Sequence, residues 1–409
     1  MSCAALLALL HIGLPGGSSA AQAPPPLETR ALWVLRTSLT SPDRIDRLVR
    51  EAANSGFNTL FLQVRARGDA FYAGGIEPTG AGVAAGFDPL AHGLRSARAA
   101  GLRVHVWINV NLVASAVTVP TERSHVVRAH PEWLMVPREL GASLARRDPR
   151  DPSYVATLAW WTRKRRDRVE GLYASPVAPG AAKYLEDLVR DLVRRYPVDG
   201  VHLDYVRFPS TEFDYSASAL AAFRESVRPD LTPAERTRLD ARLARDPLVY
   251  ANTFPQRWTE FRRLRLADLV ARIRGAVRAE RPDALLSAAV YPDPEQAAAH
   301  KLQDWASWAR RGLIDAVCPM AYTTSLPQFR RQIVAASRAA DPQPLWAGIG
   351  AYRLTPAATA AHIAAARRSG ARGIVLFSYD SLVDAPRRDS LGDIGRAAFT
   401  PARASADLP

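Results

Sequence analysis

Apolar residues along this chain follow two alternating rhythms. Short runs with every second position apolar, such as residues 59–65 (TLFLQVR) and 102–109 (LRVHVWIN), read as strands. Longer stretches repeat apolar residues every three or four positions and read as helices with one wet face. Strands are predicted over 31–36, 59–65, 102–109, 200–208, 284–291, 316–322, 345–352 and 373–379. Helices are predicted over 42–55, 89–100, 181–195, 256–280, 303–311, 326–339, 356–369 and within 390–399.

Strand–helix alternation implies a parallel sheet, and eight repeats match a closed (β/α)8 TIM barrel, an α/β fold of typically ~250 residues that tolerates insertions. The barrel is expected from 30 to 399, with long loops at 110–180 and 209–254 after the third and fourth strands. Both insertions follow strand C-termini, the rim where barrel enzymes build their sites. An open doubly wound sheet is the alternative, but no Gly-x-Gly-x-x-Gly turn follows the first strand.

Side chains of a barrel strand alternate between helices and interior. That parity sends Phe61, Gln63 and Arg65 inward from the second strand, and His105, Trp107 and Asn109 from the third. The fourth contributes His202, Asp204 and Val206, with Tyr205 facing out. Ser287, Ala289 and Tyr291 follow from the fifth, and Cys318, Met320 and Tyr322 share one face of the sixth. Arg65, Asn109, Asp204, Tyr291 and Tyr322 thus converge on one mouth. A purely structural core would place Val, Ile and Leu there, since an unpaired buried polar group costs roughly 1–3 kcal/mol. The bland alternative is a plug of mutually satisfied hydrogen bonds. Trp107 and the tyrosines offer flat faces for sugar rings, and the polar groups offer hydroxyl partners. Asp204, beside inward His202, is placed for acid–base work; the competing reading is a salt bridge to Arg207 or Arg65.

Composition narrows the classes. The 409 residues are 48% hydrophobic and 23% charged, as in globular proteins. A mean hydropathy of −0.13 speaks against many membrane spans. Lys+Arg is 54 against Asp+Glu 40, a net charge of +14. Lysine occurs only at Lys164, Lys183 and Lys301, so the excess is arginine, as GC-rich coding produces. The excess charge predicts attraction to anionic surfaces or polymers, but no nucleic-acid motif accompanies it, and no nucleic-acid partner is expected. His and Asp are scattered singly, without His-x-His or His-Glu-x-x-His, so no metal and no cofactor are expected. A Gly-x-Ser-x-Gly elbow is absent too.

The N-terminus reads as an export signal over 1–23. Residues 4–14 are mostly apolar and Ala21-Gln22-Ala23 fits a cleavage site, although no basic residue precedes Leu6. The run is too short for stable membrane insertion. A Pro-rich linker is expected over 24–29 and a tail over 400–409. The expected location is periplasmic or extracellular, where Cys318 would be the sole cysteine, without an intramolecular disulfide partner.

A series of landmarks then comes in order, mostly at strand ends. It includes Thr29-Arg30-Ala31-Leu32-Trp33, the segment Asn58 to Arg65, Gly68-Asp69-Ala70-Phe71-Tyr72 and Phe87-Asp88-Pro89-Leu90. Next come His105-Val106-Trp107-Ile108-Asn109, His130-Pro131-Glu132-Trp133, Asp199 to Pro209, Pro319-Met320-Ala321-Tyr322 and Phe377-Ser378-Tyr379. With these the chain resembles glycosyl-hydrolase-like family 10, exported barrel proteins. The resemblance implies hydrolysis of O-glycosidic bonds in a bacterial cell-envelope polysaccharide, peptidoglycan glycan strands or an exopolysaccharide. The fourth strand is also similar in part to the chitinase-type signature Asp-x-x-Asp-x-Asp-x-Glu: Asp199 and Asp204 match, while His202 replaces an Asp and Val206 the acid Glu.

Glycosidases usually place two carboxyls about the scissile bond. Asp204 is expected to be one. Asp293, after the fifth strand and so next to the fourth, Asp69, with the better motif context, and Asp380 are the rim candidates for the other, with Glu77 and Glu212 behind. Arg65, Tyr72, His105, Trp107, Asn109, His202, Arg207, Tyr291 and Tyr322 are expected to hold substrate. Two other classes stay open: a carbohydrate-binding barrel that has lost its acid, and a basic surface protein binding anionic polymers without a pocket. The oligomeric state is not legible.

Overall fold

The computed structural model describes residues 28–384, 387 and 389–399. The expected leader, most of the linker and the tail lie outside them. Eight strands carry the fold: β1 (Thr29–Val34), β2 (Thr59–Arg65), β3 (Arg103–Asn109), β4 (Gly200–Asp204), β5 (Leu285–Val290), β6 (Ala316–Pro319), β7 (Trp346–Ile349) and β8 (Gly373–Phe377). All their pairings are parallel, in the order β6-β5-β4-β3-β2-β1-β8-β7. Single parallel bridges, Val317 to Leu345 and Met320 to Gly348, bring β6 and β7 together and nearly close the barrel.

The helices that follow the strands are α1 (Pro42–Asn54), α2 (Pro89–Ala99), α3 (Pro179–Arg195), α4 (Pro255–Glu280), α5 (Trp305–Arg310), α6 (Leu326–Ala340), α7 (Pro356–Arg368) and α8 (Ser390–Ala398). Local chemistry sets their starts. Pro42 and Pro89 occupy the first turn, where a missing N–H costs nothing, and the Ser41 and Asp88 side chains accept from the N–H groups of Arg44 and Ala91. Leu48, Leu185, Leu188 and Ile273 from these helices join Leu60, Val104, Val201 and Leu286 in the core between helices and barrel. The other face of the strands fills the barrel with Ala31, Trp33, Phe61, Trp107, Ala289, Cys318, Trp346 and Val375.

The two insertions stand where expected. The one after β3 holds an antiparallel ribbon, Leu112–Ser115 with Gly171–Tyr173, and its own small core around Val113, Leu134, Tyr154 and Leu172. The one after β4 folds as helices Ala217–Val227, Pro233–Leu243 and Val249–Thr253.

Several strands are shorter than their apolar runs. β4 ends at Asp204 because Tyr205 takes a left-handed backbone, φ 49°. A bulky residue rarely adopts that conformation, which costs of order 1–3 kcal/mol. The turn corrects the predicted parity beyond Asp204: Val206 packs in the core between barrel and helices, and Tyr205 moves to the rim. Among the described residues no helix is long and apolar enough to cross a membrane.

Candidate active site at the barrel mouth

The interior is layered. Deepest lie the two histidines. Trp33 Nε1 donates to His202 Nε2 at 3.0 Å, so His202 carries its proton on Nδ1, 2.9 Å from Ser287 Oγ. Burial holds His202 well below its ordinary pKa. His105 stacks on Phe61, and burial, helped by Arg103, pushes it down to about 3. Both are neutral core residues without solvent access. The expectation that they hold substrate is corrected: they are the plug beneath the site.

Asp204 closes the next layer. Its Oδ2 accepts from Trp107 Nε1 at 3.2 Å and its Oδ1 from the Tyr205 amide at 2.7 Å. The Trp107 N–H is shared with Asn109 Oδ1 at 3.1 Å, while Asn109 Nδ2 donates to the Ala66 carbonyl at 2.7 Å. Such donors favour the carboxylate, as does the Arg207 charge. Burial outweighs them and pushes Asp204 up to about 6. Trp107 is only 2% exposed, so it positions Asp204 and offers no stacking face. Asn109 is likewise buried. Tyr322 stands over this layer against Trp33 and Phe377; burial raises its pKa well above the ordinary value, and the Cys318 and Asp204 charges add to that.

The rim beside β4 holds a second charged group. The buried Arg207 guanidinium lies 4.5 Å from the Tyr205 ring centroid and 5.4 Å from that of Tyr291. It donates to Glu170 Oε1 at 2.9 Å, and Glu170 Oε2 accepts from the Tyr173 hydroxyl at 2.7 Å. Burial works to raise the Glu170 pKa, but Arg207 and Tyr173 outweigh it and hold the carboxyl below its ordinary value. The Glu170 charge in turn disfavours ionisation of Asp204. Glu170 was not among the expected residues. It lies in the insertion after β3, directly before the ribbon strand Gly171–Tyr173, and only the rim position of that insertion pointed toward it.

Other expected residues are engaged elsewhere. Arg65 is fully buried and grips Glu77, with Nε at 3.0 and 2.9 Å from the two carboxylate oxygens and Nη2 at 2.7 Å from Oε1; its third nitrogen, Nη1, reaches the carbonyls of Asn109 and Val110. Both Arg65 and Glu77 are therefore structural. Tyr72 is buried in the outer core against Tyr196. Asp380 ties the β8 end to β1 through the Leu35 amide at 2.8 Å and Ser38 Oγ at 2.7 Å. Asp293 is exposed and caps the helix Pro294–Lys301 through the Gln296 amide. Asp69 is half-buried and accepts from the Arg67 amide at 2.8 Å. Glu212 is exposed. The structure gathers Asp204, Trp107, Asn109, Tyr322, Arg207 and Tyr291, and adds Glu170, Tyr173 and Tyr205.

A family model described as glycosyl hydrolase-like 10 matches residues 28–352. The chain is 26% identical over 300 residues to the glycosyl hydrolase DigH of Escherichia coli, covering 68% of this chain and 57% of that protein. It is 25% identical over 171 residues to the glycosyl hydrolase YngK of Bacillus subtilis, covering 40% of this chain and 28% of that one. The chain thus spans little more than half the length of the DigH proteins it matches. Among solved structures, the PgaB (BpsB) glycoside hydrolase domain from Bordetella bronchiseptica superposes with a TM-score of 0.62 at 16% identity, covering 92% of this chain and all of that one. The catalytic domain of β-amylase from Paenibacillus polymyxa gives 0.56 at 10% identity, covering 91% and 99%. These two likenesses establish the barrel fold.

Proposed function

Since the chain belongs to the glycosyl hydrolase-like 10 family, we propose that it is an exported glycoside hydrolase. Its substrate would be a bacterial cell-envelope polysaccharide, peptidoglycan glycan strands or an exopolysaccharide. The observation that carries this reading is the pair of rim carboxyls with opposed environments. Asp204 holds its proton to about pH 6 and Glu170 stays ionised against Arg207. Carboxyls pushed apart in this way divide acid and base roles in glycosidases. Asp204 would protonate the leaving oxygen, and Glu170 would act as the second carboxylate. Tyr205, Tyr291 and Tyr322 supply the apolar walls.

Turnover of purified glycan strands tests the reading. Glu170→Gln should lose roughly 10²–10⁴-fold in rate. Asp293→Asn should change turnover little, because the residue is exposed and Asn caps a helix as well as Asp does. Equal activity of both variants would remove Glu170 from the mechanism. A carbohydrate-binding barrel without catalysis is the second reading, favoured by Val206, which is buried in the core where the chitinase-type signature has its acid. It predicts glycan binding with no turnover by the wild type. Export rests on the apolar 4–14 segment and Ala21-Gln22-Ala23. N-terminal sequencing of protein from the producing cell should find a start at Pro24, after Ala23; an intact Met1 would sink that part.

A further inference from the structure

The cations at the C-terminal ends of the strands are not equally occupied. Arg65 and Arg207 hold carboxylates at hydrogen-bond distance. Arg36, Arg67 and Lys301 have no carboxylate oxygen within 4.0 Å among the described residues. Arg36 follows β1 and is half-buried; its only side-chain hydrogen bond runs to Gln63 Oε1, at 3.4 Å. Burial lowers its pKa, and Asp69 only partly offsets the loss of water. Arg67 follows β2. Its backbone is pinned at both ends, the amide on Asp69 Oδ1 at 2.8 Å and the carbonyl on His125 Nε2 at 2.8 Å. Its side chain makes no hydrogen bond within the described residues, and its charge reaches both Arg36 and Tyr205. Lys301 ends the helix Pro294–Lys301 after β5, 5.4 Å from the Tyr291 ring centroid, with its ammonium on the Pro209 carbonyl.

Two guanidinium groups on the segments after β1 and β2, and the Lys301 ammonium beside Tyr291, thus stand at the strand-end rim without an ion-pair partner among the described residues. Half-buried cations are costly without a close counter-charge, and here the fold sets only Asp69 against Arg36 and Glu170 against Lys301, both beyond ion-pair distance. We propose that Arg36 and Arg67 form an anion subsite, so that the glycan taken by this mouth carries a carboxylate or phosphate substituent beside the bond at Asp204. The proposal rests on the mouth being the glycan site, and it adds the charge class of the substrate. Guanidinium forks suit both oxyanions, and Lys301 supplies a point charge beside Tyr291. A cationic, deacetylated amino-sugar polymer would be repelled.

The test measures affinity and turnover with three matched oligosaccharides: neutral N-acetylglucosamine oligomers, oligomers with carboxylated sugars, and oligomers with phosphate substituents. The full chain is compared with Arg36→Gln/Arg67→Gln and with Arg36→Lys/Arg67→Lys, folding being checked by circular dichroism. Wild type should prefer an anionic oligomer over the neutral one by roughly 10–100-fold, the span of one charge-assisted hydrogen bond. The ratio should collapse toward unity in the Gln variant and at high salt, and recover partly in the Lys variant. Comparing the carboxylate and phosphate arms identifies the substituent. Turnover of all three oligomers at similar rates and affinities would overturn the subsite and leave the hydrolase intact. Selective binding that vanishes in the Gln variant, without turnover of any oligomer, would uphold the subsite and sink the hydrolase.

Discussion

Asp204→Asn is expected to lower glycan turnover by roughly 10²–10⁴-fold, the usual share of a positioned acid or base. The same substitution should stabilise the protein at alkaline pH. The folded carboxyl holds its proton to about 6, against 3.8 for the free group, so ionisation costs the folded state. That cost is absent at low pH, grows as pH rises from about 4 through about 6, and is complete above. By linkage its size is on the order of 3 kcal/mol. An amide carries no such cost. Its NH₂ would face the Trp107 N–H, which keeps Asn109 Oδ1 as an acceptor, so part of the gain is lost. A net gain of about 1–3 kcal/mol is therefore expected at pH 8, vanishing near pH 4.

Urea unfolding of wild type and variant at pH 4 and pH 8 measures this difference. As proton donor, Asp204 works in its protonated form, so wild-type kcat/KM should fall as pH rises through about 6. Residual activity of the Asn variant should lack that limb. A variant less stable than wild type at pH 8, with activity within tenfold, would mean that Asp204 is an ordinary buried carboxylate.

Much of the architecture was legible because it rests on alternation. β2 is the apolar run 59–65 itself, and the barrel helices begin at prolines and capping residues visible in the sequence. Asp204 was legible for the same reason: with Val201 and Leu203 facing the helices, residue 204 has to face inward. Parity fails one residue later, because the left-handed turn at Tyr205 has no sequence signature; Tyr is not a residue that invites it. Parity also gives direction without depth. His105, His202 and Arg65 do face inward, yet His202 pairs with Trp33, 169 positions away, and Arg65 with Glu77 in the following loop. Which inward polar group is satisfied and which is left for a ligand depends on such partners. Glu170 was hidden because it reaches the rim through a folded insertion, where neither strand parity nor helix period applies.

Removing the Glu77 carboxylate should cost the fold about 3–5 kcal/mol, the usual penalty for leaving one member of a buried ion pair uncompensated. The Arg65 side chain is 1% exposed and that of Glu77 0%, with Nη2 to Oε1 at 2.7 Å. In Glu77→Ala the guanidinium keeps its carbonyl contacts at Asn109 and Val110 but loses its counter-charge. The expected result is a large drop in urea midpoint, with a smaller one for Glu77→Gln, which keeps an acceptor. Arg65→Met/Glu77→Leu should lose less than Arg65→Met and Glu77→Ala together, since removing both charges leaves neither stranded. Activity would fall too, since Arg65 holds the backbone of Asn109, and Asn109 shares the Trp107 N–H with Asp204. The pH limb separates this from a catalytic role: folded Glu77→Gln should keep the fall in kcat/KM through about pH 6 set by Asp204. Loss of that limb at unchanged stability would place Glu77 in the chemistry instead.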